Sequence, residues 1–450
     1  MKTIKEHYPN LIIGFGKGGK TLAAYLAKQG QEVVLVERSK MMYGGTCINV
    51  ACIPTKSLIT NAEKKIPYAE AFQIKNDLTS SLRKKNYDNL ESQSLITVIT
   101  GTASFISSQE VRVRLSDSGN VKTIKADRIF INSGTEPAIP EIPGLKNSKR
   151  VFTSASLMEQ SNMPDKLVII GGGFIGLEFS DMYSKFGADV TVLDHGKVFL
   201  PKEDRDIADE IYKALTEKGI RIIMDASVSK VTDTDNGVTV QFNKAGKALS
   251  VESSAVLIAT GRKPNTGVLS LEVAAIKTDN RGFICVNDQL QTSVNNVWAI
   301  GDVNGGPQFT YISLDDFRIV RDQLFGGSYT SVTKRKKIAS SVFITPPFAH
   351  IGLRENEAKE KGYRIKVAKL PASAIPRARI QNNTTGILKS VIDADTNKIL
   401  GCTLFCAEAN EMINTIQVAI NAGIEYQIIR DTVFTHPSMT EAFNDLYTSI

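Results

Sequence analysis

Short apolar runs that end in glycine recur along the chain, and two of them open the same pattern. Leu11–Ile13 runs into Gly14-Phe15-Gly16-Lys17-Gly18-Gly19, followed by a helical stretch over Lys20–Gln29 and an apolar run, Glu32–Val36, that ends in Glu37. Leu167–Ile170 likewise runs into Gly171-Gly172-Gly173-Phe174-Ile175-Gly176, a helix through about Phe186, and a strand, Asp189–Leu193, that ends in Asp194. Each reads as strand, tight turn, helix and strand. Elsewhere Asn61–Ser94 is charged, poor in glycine and predicted helical, and no chemistry is assigned to it; Leu400–Phe405 is an apolar strand. No apolar run approaches the ~18 residues needed to span a bilayer.

The repeated unit has a physical reading. Its glycines permit a tight turn and close helix packing, its helix N-terminus receives a pyrophosphate, and an acid at the end of the second strand accepts hydrogen bonds from ribose hydroxyls. In both copies the acid stands eighteen residues after the last glycine. One glycine motif of this kind is weak; two in the same strand-turn-helix context point to two bound dinucleotides.

Directly after the first unit, Gly44 to Lys56 reads GGTCINVACIPTK, with Cys47 and Cys52 five positions apart. A disulfide needs Cα atoms roughly 4.4–6.8 Å apart, whereas residues i and i+5 of a regular helix lie about 8 to 9 Å apart. If the two cysteines bond, the segment bends at its start and leaves a sulfur near a helix N-terminus, where a thiolate is favoured. Two buried cysteines acting as small hydrophobes, or half of a zinc site, are the alternatives. The glycine-rich neighbourhood suits a flat cofactor, and Cys285, Cys402 and Cys406 supply no second close pair at zinc spacing. The pair therefore points to redox chemistry. Cys402, Cys406 and Cys285 lie among apolar residues and are expected to pack in the core.

Composition changes little. At 450 residues the chain has room for about three domains, and five cysteines without a cationic, apolar leader at Met1–Asn10 predict a reducing cytoplasm. The net charge is +7, but the only dense basic run is Lys334-Arg335-Lys336-Lys337. That run is read as a solvated linker, with no nucleic-acid or membrane partner.

Over essentially its whole length the chain resembles the flavin-dependent pyridine nucleotide:disulfide oxidoreductases, the family of glutathione reductase, lipoamide dehydrogenase and mercuric reductase. Further matches are Ile258–Arg262, reading IATGR, then Pro264-Asn265; Ala299–Val303, reading AIGDV; and His436-Pro437 with Glu441. The resemblance implies an α/β architecture of two Rossmann-like dinucleotide-binding domains and a C-terminal α+β dimerisation domain. The FAD domain would span 1–150 and 266–337, the NAD(P)H domain 151–265, and the interface domain 338–450. FAD would be bound by Gly14, Gly16, Gly19, Glu37, Gly45, Thr46, Gly134, Gly301 and Asp302, the nicotinamide cofactor by Gly171, Gly173, Gly176, Asp194 and Gly261. Lys56 and Glu178 would form an ion pair near the flavin edge. Cys47 and Cys52 would be the redox-active disulfide, Cys52 beside the flavin and Cys47 facing outward.

The resemblance makes His436 and Glu441 an acid/base dyad that acts in the other subunit of an obligate homodimer. A dithiol that attacks and later leaves needs a proton carrier titrating near neutrality, which suits histidine. Of the four histidines, His7 lies near the chain start, His195 beside the second acid and His350 after a Pro-Pro turn, so His436 is the best base candidate. Asp194 favours NADH over NADPH, since a carboxylate pairs with a ribose diol and repels a 2′-phosphate; the nearby His195 and Lys197 leave room for NADPH.

Ala374–Arg379 and Thr385–Lys389 resemble the mercuric-reductase branch, but Asn444–Ile450 lacks that branch's cysteine pair, and a protein without that branch's N-terminal metal-binding domain is expected. Tyr43, Thr345–Pro347 and Gln308–Arg321, which carries Asp315 and Asp316 in a helix expected beneath the flavin, are similar to flavoproteins of bacterial reactive-chlorine resistance. That implies a cytoplasmic oxidative-stress enzyme reducing Cu(II), or Hg(II), with Cys47 and Cys52 holding the substrate ion transiently. The rival readings are a reductase of a small disulfide and a thiol redox sensor or metal buffer without turnover.

Overall fold

The computed structural model describes residues 2–450. The first glycine turn joins β1 (His7–Ile13) to α1 (Lys17–Lys28), which returns to β2 (Val33–Glu37). α1 begins three residues earlier than the sequence suggests, with Gly16 as its N-cap. Gly18 and Gly19 therefore lie inside its first turn, where a Cβ would stand 2.6 Å from the Ser313 carbonyl oxygen or 2.8 Å from that of Gly14. Only glycine lets this helix start so close to its neighbours.

β1 and β2 pair in parallel, as do β2 and β3 (Ile96–Phe105). The second half of β3 turns away to pair antiparallel with β4 (Glu110–Leu115), which pairs with the first half of β5 (Val121–Ile131). The second half of β5 then runs parallel beside β1 and beside Val297–Ala299. Ile13 stands opposite both Val36 and Ile131, so the glycine turn, Glu37 and Asn132 emerge together at one carboxyl edge, where such sheets bind ligands.

Between β2 and β3 the chain forms a short helix α2 (Thr46–Asn49), α3 (Cys52–Glu63) and α4 (Tyr68–Glu91). The continuous helix expected over Asn61–Ser94 is thus two helices. Lys65 takes a left-handed φ of 58° and Pro67 caps α4; a proline has no amide to donate and holds the residue before it extended, which breaks the run.

The second unit builds a five-stranded parallel sheet in the order Arg221–Ile223, Asp189–Leu193, Lys166–Ile170, Ala255–Ile258, Val151–Thr153. Its helix Phe174–Phe186 buries Leu177, Phe179, Met182 and Tyr183 against that sheet. A three-stranded antiparallel sheet over Ser227–Ser253 packs against its other side. The C-terminal portion is a five-stranded antiparallel sheet covered by helices that include Ala409–Ala422. Cys402 and Cys406 are buried there, as expected. Cys285 is not: it is exposed. It follows buried Ile284 in an extended segment whose backbone pairs with Lys277, and the alternation of such a segment turns Cys285 outward.

Candidate functional site

Gly44 and Gly45 both take positive φ (95° and 81°), and a Cβ on Gly45 would lie 2.7 Å from the Cα of Gly16. The cysteine segment is thereby pressed onto the first glycine turn. The segment bends as a bond would require: α2 ends at Asn49, Val50 and Ala51 leave helical geometry, and Cys52 is the first residue of α3. Asn49 fastens the bend by donating to the Tyr43 and Gly45 carbonyls at 3.0 and 2.9 Å, while its own oxygen accepts from Arg83 Nε at 2.8 Å. α4, read as bare of chemistry, is thus the scaffold behind the cysteines.

Both sulfurs are half-buried thiols, and Cys52 Sγ lies 3.6 Å from Thr310 Oγ1. The Cys47 thiol beside it is the largest cause drawing the Cys52 pKa down to about 6, helped by Thr310 and the Lys56 charge against the opposing effect of burial. Cys47 moves the other way: Cys52 first, and then burial, hold its proton far above the ordinary thiol range. The pair is asymmetric, with the anion on Cys52.

A cavity of about 1460 Å³ surrounds these sulfurs. Of the residues singled out from sequence, Gly14, Gly16, Glu37, Gly45, Thr46, Cys47, Cys52, Lys56, Gly134, Glu178 and Asp302 line it. Gly19 and Gly301 stand just behind its wall. Gly19 N donates to Asn132 Oδ1 at 2.9 Å, and Gly301 N donates to Asp316 Oδ2 at 2.7 Å. The Glu37 carboxylate accepts from Phe15 N at 2.9 Å and Ser39 N at 3.2 Å; burial raises its pKa. Burial also raises Asp302, whose Oδ2 accepts from Thr135 Oγ1 at 3.2 Å.

These residues fit a flavin dinucleotide. No atom lies within 4 Å of where a Cβ on Gly134 would stand, and the buried Ser133 Oγ on the cavity wall has no hydrogen-bond partner within the chain. Lys56 Nζ and Glu178 Oε2 pair at 2.7 Å, and Phe343 N donates to the other Glu178 oxygen at 2.9 Å.

At the second glycine turn a Cβ on Gly176 would fall 2.0 Å from the Gly171 carbonyl oxygen, so the helix packs tightly, while Gly173 faces open space. Asp194 is held by Gly172 N and Gly196 N, each at 2.7 Å, with exposed His195 at 3.8 Å. Gly261, at φ 114°, also faces open space. Phe174 and Ile175, at the start of the helix this turn feeds, reach into the cavity of the cysteines, whereas Gly171, Gly173, Gly176, Asp194 and Gly261 do not line it.

His436 Nδ1 lies 2.8 Å from Glu441 Oε2, and Glu441 Oε1 accepts from Ser438 N at 3.1 Å. The imidazole is 71% exposed, and neither residue lines the cavity of its own chain.

Known proteins match this arrangement from end to end. The model of the pyridine nucleotide-disulphide oxidoreductases matches residues 8–316, and that of the family's dimerisation domain matches residues 338–447. The chain belongs to the pyridine nucleotide-disulphide oxidoreductases. It is 46% identical over 443 residues to the probable pyridine nucleotide-disulfide oxidoreductase RclA of Escherichia coli, covering 98% of this chain and 99% of that protein. A mercuric reductase of Staphylococcus aureus is 32% identical over 451 residues, covering 96% and 81%. Among solved structures, the Cu(II) complex of the HOCl-induced flavoprotein disulfide reductase RclA from Escherichia coli superposes with a TM-score of 0.95 at 45% identity, covering 99% of both chains. Membership makes the protein an oxidoreductase that binds FAD and a pyridine nucleotide, and its fold is that of RclA. No helix among the described residues is long and apolar enough to cross a membrane.

Several residues of this oxidoreductase site were not legible as such. Asn132 joins the first glycine turn to Ile300 and Ser313, and Ser313 Oγ accepts from Gly18 N at 3.0 Å. A polar residue directly after the apolar end of β5 was the available signal. Thr310 at the Cys52 sulfur, and Arg262, which donates to the Thr135 hydroxyl and carbonyl at 2.8 and 2.7 Å, lie in segments matched by resemblance, Gln308–Arg321 and Ile258–Arg262, but no role was assigned to either. The basic run is not a solvated linker throughout. Arg335 is only 14% exposed and clamps Asp315, at 2.6 Å, and Asp316, so a charge that looked loose fixes the helix carrying the Gly301 contact.

Proposed function

We propose that the protein passes electrons from NADH through FAD and the Cys47–Cys52 pair to a thiophilic metal ion, Cu(II) foremost and Hg(II) as a second acceptor. The observation that carries this reading is the asymmetric cysteine pair, in a cavity that elements of both glycine turns reach. When bound, FAD supplies the two-electron exchange between a nicotinamide and a disulfide that no side chain can perform.

Gly14, Gly16, Gly45, Gly134, Glu37 and Asp302 would hold FAD, with Lys56 and Glu178 at its reactive edge. Gly171, Gly173, Gly176, Gly261 and Asp194 would hold the nicotinamide cofactor. The fixed Asp194 carboxylate supports NADH over NADPH, since a 2′-phosphate would meet a negative charge.

Within the reduced pair Cys52 holds the negative charge and Cys47 the proton. To bind or reduce an acceptor, Cys47 must lose that proton, and its high affinity for it makes a base necessary. His436, oriented by Glu441, fits that role. Its position outside its own chain's cavity supports a homodimer in which one protomer's dyad serves its partner's cysteines. The overall step balances: the thiolate–thiol pair gives up two electrons and the one proton of Cys47, which His436 takes, the Cys47–Cys52 bond forms, and two Cu(II) become two Cu(I). Soft thiolates suit both Hg(II) and Cu(I). Similarity to a flavoprotein described as HOCl-induced and solved with Cu(II) supports a role in defence against reactive chlorine, in the reducing cytoplasm that the cysteine usage predicts. That relative's description as a disulfide reductase keeps a small disulfide as the second reading.

The test is anaerobic NADH oxidation by the FAD-loaded protein with Cu(II), Hg(II), oxidised glutathione and lipoamide offered separately, beside Cys47→Ser and Cys52→Ser. Copper-dependent turnover that yields Cu(I) and is lost in both variants is expected. Turnover with a disulfide alone would overturn the metal reading, and stoichiometric oxidation without turnover would point to a sensor.

A further inference from the structure

Three cations stand around the Cys47 turn without a carboxylate. Lys17, the first residue of α1, lines the cavity together with Cys47. Lys20, one turn further on, is half-buried, and its Nζ donates to the Gly44 carbonyl at 3.5 Å and to Asn86 Oδ1. Arg83, on α4, donates through Nε to Asn49, two residues past Cys47. Among the described residues none of the three comes within 4.0 Å of an acidic oxygen. Two other cations of the same cavity, by contrast, are paired at close range: Lys56 with Glu178, and Arg335 with Asp315 and Asp316.

An unpaired, half-buried lysine costs stability. The balance of charge on Lys20 is consistent with that cost. Burial, then Lys17, lowers its pKa to about 8, and the Cys47 side chain is the group that acts in the opposite sense. Reciprocally, Lys20 is the cation that bears on Cys47.

We infer that Lys20, with Lys17 and Arg83 beside it, selects acceptors that approach Cys47 as anions, so that copper arrives in a negatively charged complex rather than as the bare dication. A bare Cu(II) ion would enter against three like charges in a partly desolvated site, whereas an anionic chelate would be drawn in. The same field would favour an anionic disulfide over a neutral one. The identity of the metal rests on the proposed copper reduction; the charge preference at Cys47 does not.

The probe is a pair of alkylating agents of similar size, iodoacetate and iodoacetamide, applied to the NADH-reduced, FAD-loaded protein in a Cys285→Ser background. Modification of Cys47 is followed by mass spectrometry. Both reagents consume the thiolate, so the ratio of their rates reports the local field and cancels the thiolate fraction. Lys20→Gln keeps a donor for the Gly44 carbonyl and removes the charge. It is expected to lower the iodoacetate-to-iodoacetamide ratio by roughly 10-fold at low salt and to flatten its salt dependence. Lys20→Arg is expected to keep the ratio. Equal ratios in the parent and Lys20→Gln would overturn the inference, as would an equal loss in Lys20→Arg.

A second arm compares turnover with copper as its anionic citrate complex and as its cationic bipyridine complex. The parent is expected to prefer the former through KM, and Lys20→Gln to lose that preference. Preference for the cationic complex would overturn the inference. Absence of copper turnover alongside a lysine-dependent alkylation ratio would sink the metal reading and leave the charge preference standing.

Discussion

Replacing Cys47 by alanine should disarm Cys52 without touching it. Cys52 titrates at about 6 instead of the ordinary 9.0, with the Cys47 thiol as the largest cause; at 1.36 kcal/mol per pH unit that is roughly 4 kcal/mol in favour of the thiolate, net of burial. A hydrogen bond to a charged group contributes about 1.5–3 kcal/mol. Its loss should therefore raise the Cys52 pKa by about one to two pH units, to between about 7 and 8. At pH 7 the thiolate fraction would fall from about 90% to between roughly 50% and 10%. Cys47→Ser keeps a donor and should shift the titration less. The assay is the pH dependence of Cys52 alkylation by iodoacetamide, read by mass spectrometry in a Cys285→Ser background so that the exposed thiol does not compete. A Cys52 titration in Cys47→Ala at or below that of the parent would refute the reasoning. It would mean that Thr310, Lys56 and the helix N-terminus suffice without the neighbouring thiol.

Gly16→Ala should purify with little FAD, because the added Cβ would stand 2.4 Å from Asn132 Oδ1 and push apart the network under the first glycine turn; the flavin-to-protein absorbance ratio measures this. Asp194→Ser should raise the kcat/KM ratio of NADPH to NADH several-fold by removing a charge that faces a 2′-phosphate, and an unchanged ratio would show that this carboxylate does not read the ribose. Lys389 is 2% exposed and meets Asp204, Asp206 and Glu355 at 2.9, 3.1 and 2.8 Å, so it joins the second unit to the C-terminal sheet. Lys389→Met should cost about 3 kcal/mol in denaturant unfolding, since it leaves three carboxylates without their shared cation. Lys359 and then Lys389 hold Glu355 below the usual carboxylate range, and Lys369 and Lys389 hold Asp206 low against burial. Their stabilisation is present above the unfolded carboxylate range and is lost as pH falls through the lower folded values. The parent should thus lose stability on acidification more steeply than Lys389→Met.

Much of the fold could be read locally. A glycine turn is specified by residues a few positions apart, through the φ angles they permit and the helix start they leave open, so both dinucleotide units stood out in the chain, and strand Asp189–Leu193 falls where it was expected. The five-residue cysteine spacing likewise implied a broken helix, and the break lies at Val50–Ala51. Helix limits were less legible. The start of α1 depends on Ser313, almost three hundred residues away, and the break before α4 turns on one proline within a sequence that otherwise suits a helix.

What the sequence determined by itself was chemistry type: two nucleotide turns, a reactive cysteine pair, and an acid at the end of each second strand. Only the tertiary structure decided which sulfur carries the charge, because Cys47, Thr310 and Lys56 act on Cys52 together and one of them lies 258 residues away. It also turned Cys285 outward, clamped Arg335 between two aspartates, and left Lys20 without an acid beside Cys47. Backbone conformation at a turn is a property of neighbours in the chain. The state of a charge is a sum over everything near it in space, and most of those neighbours come from elsewhere in the sequence.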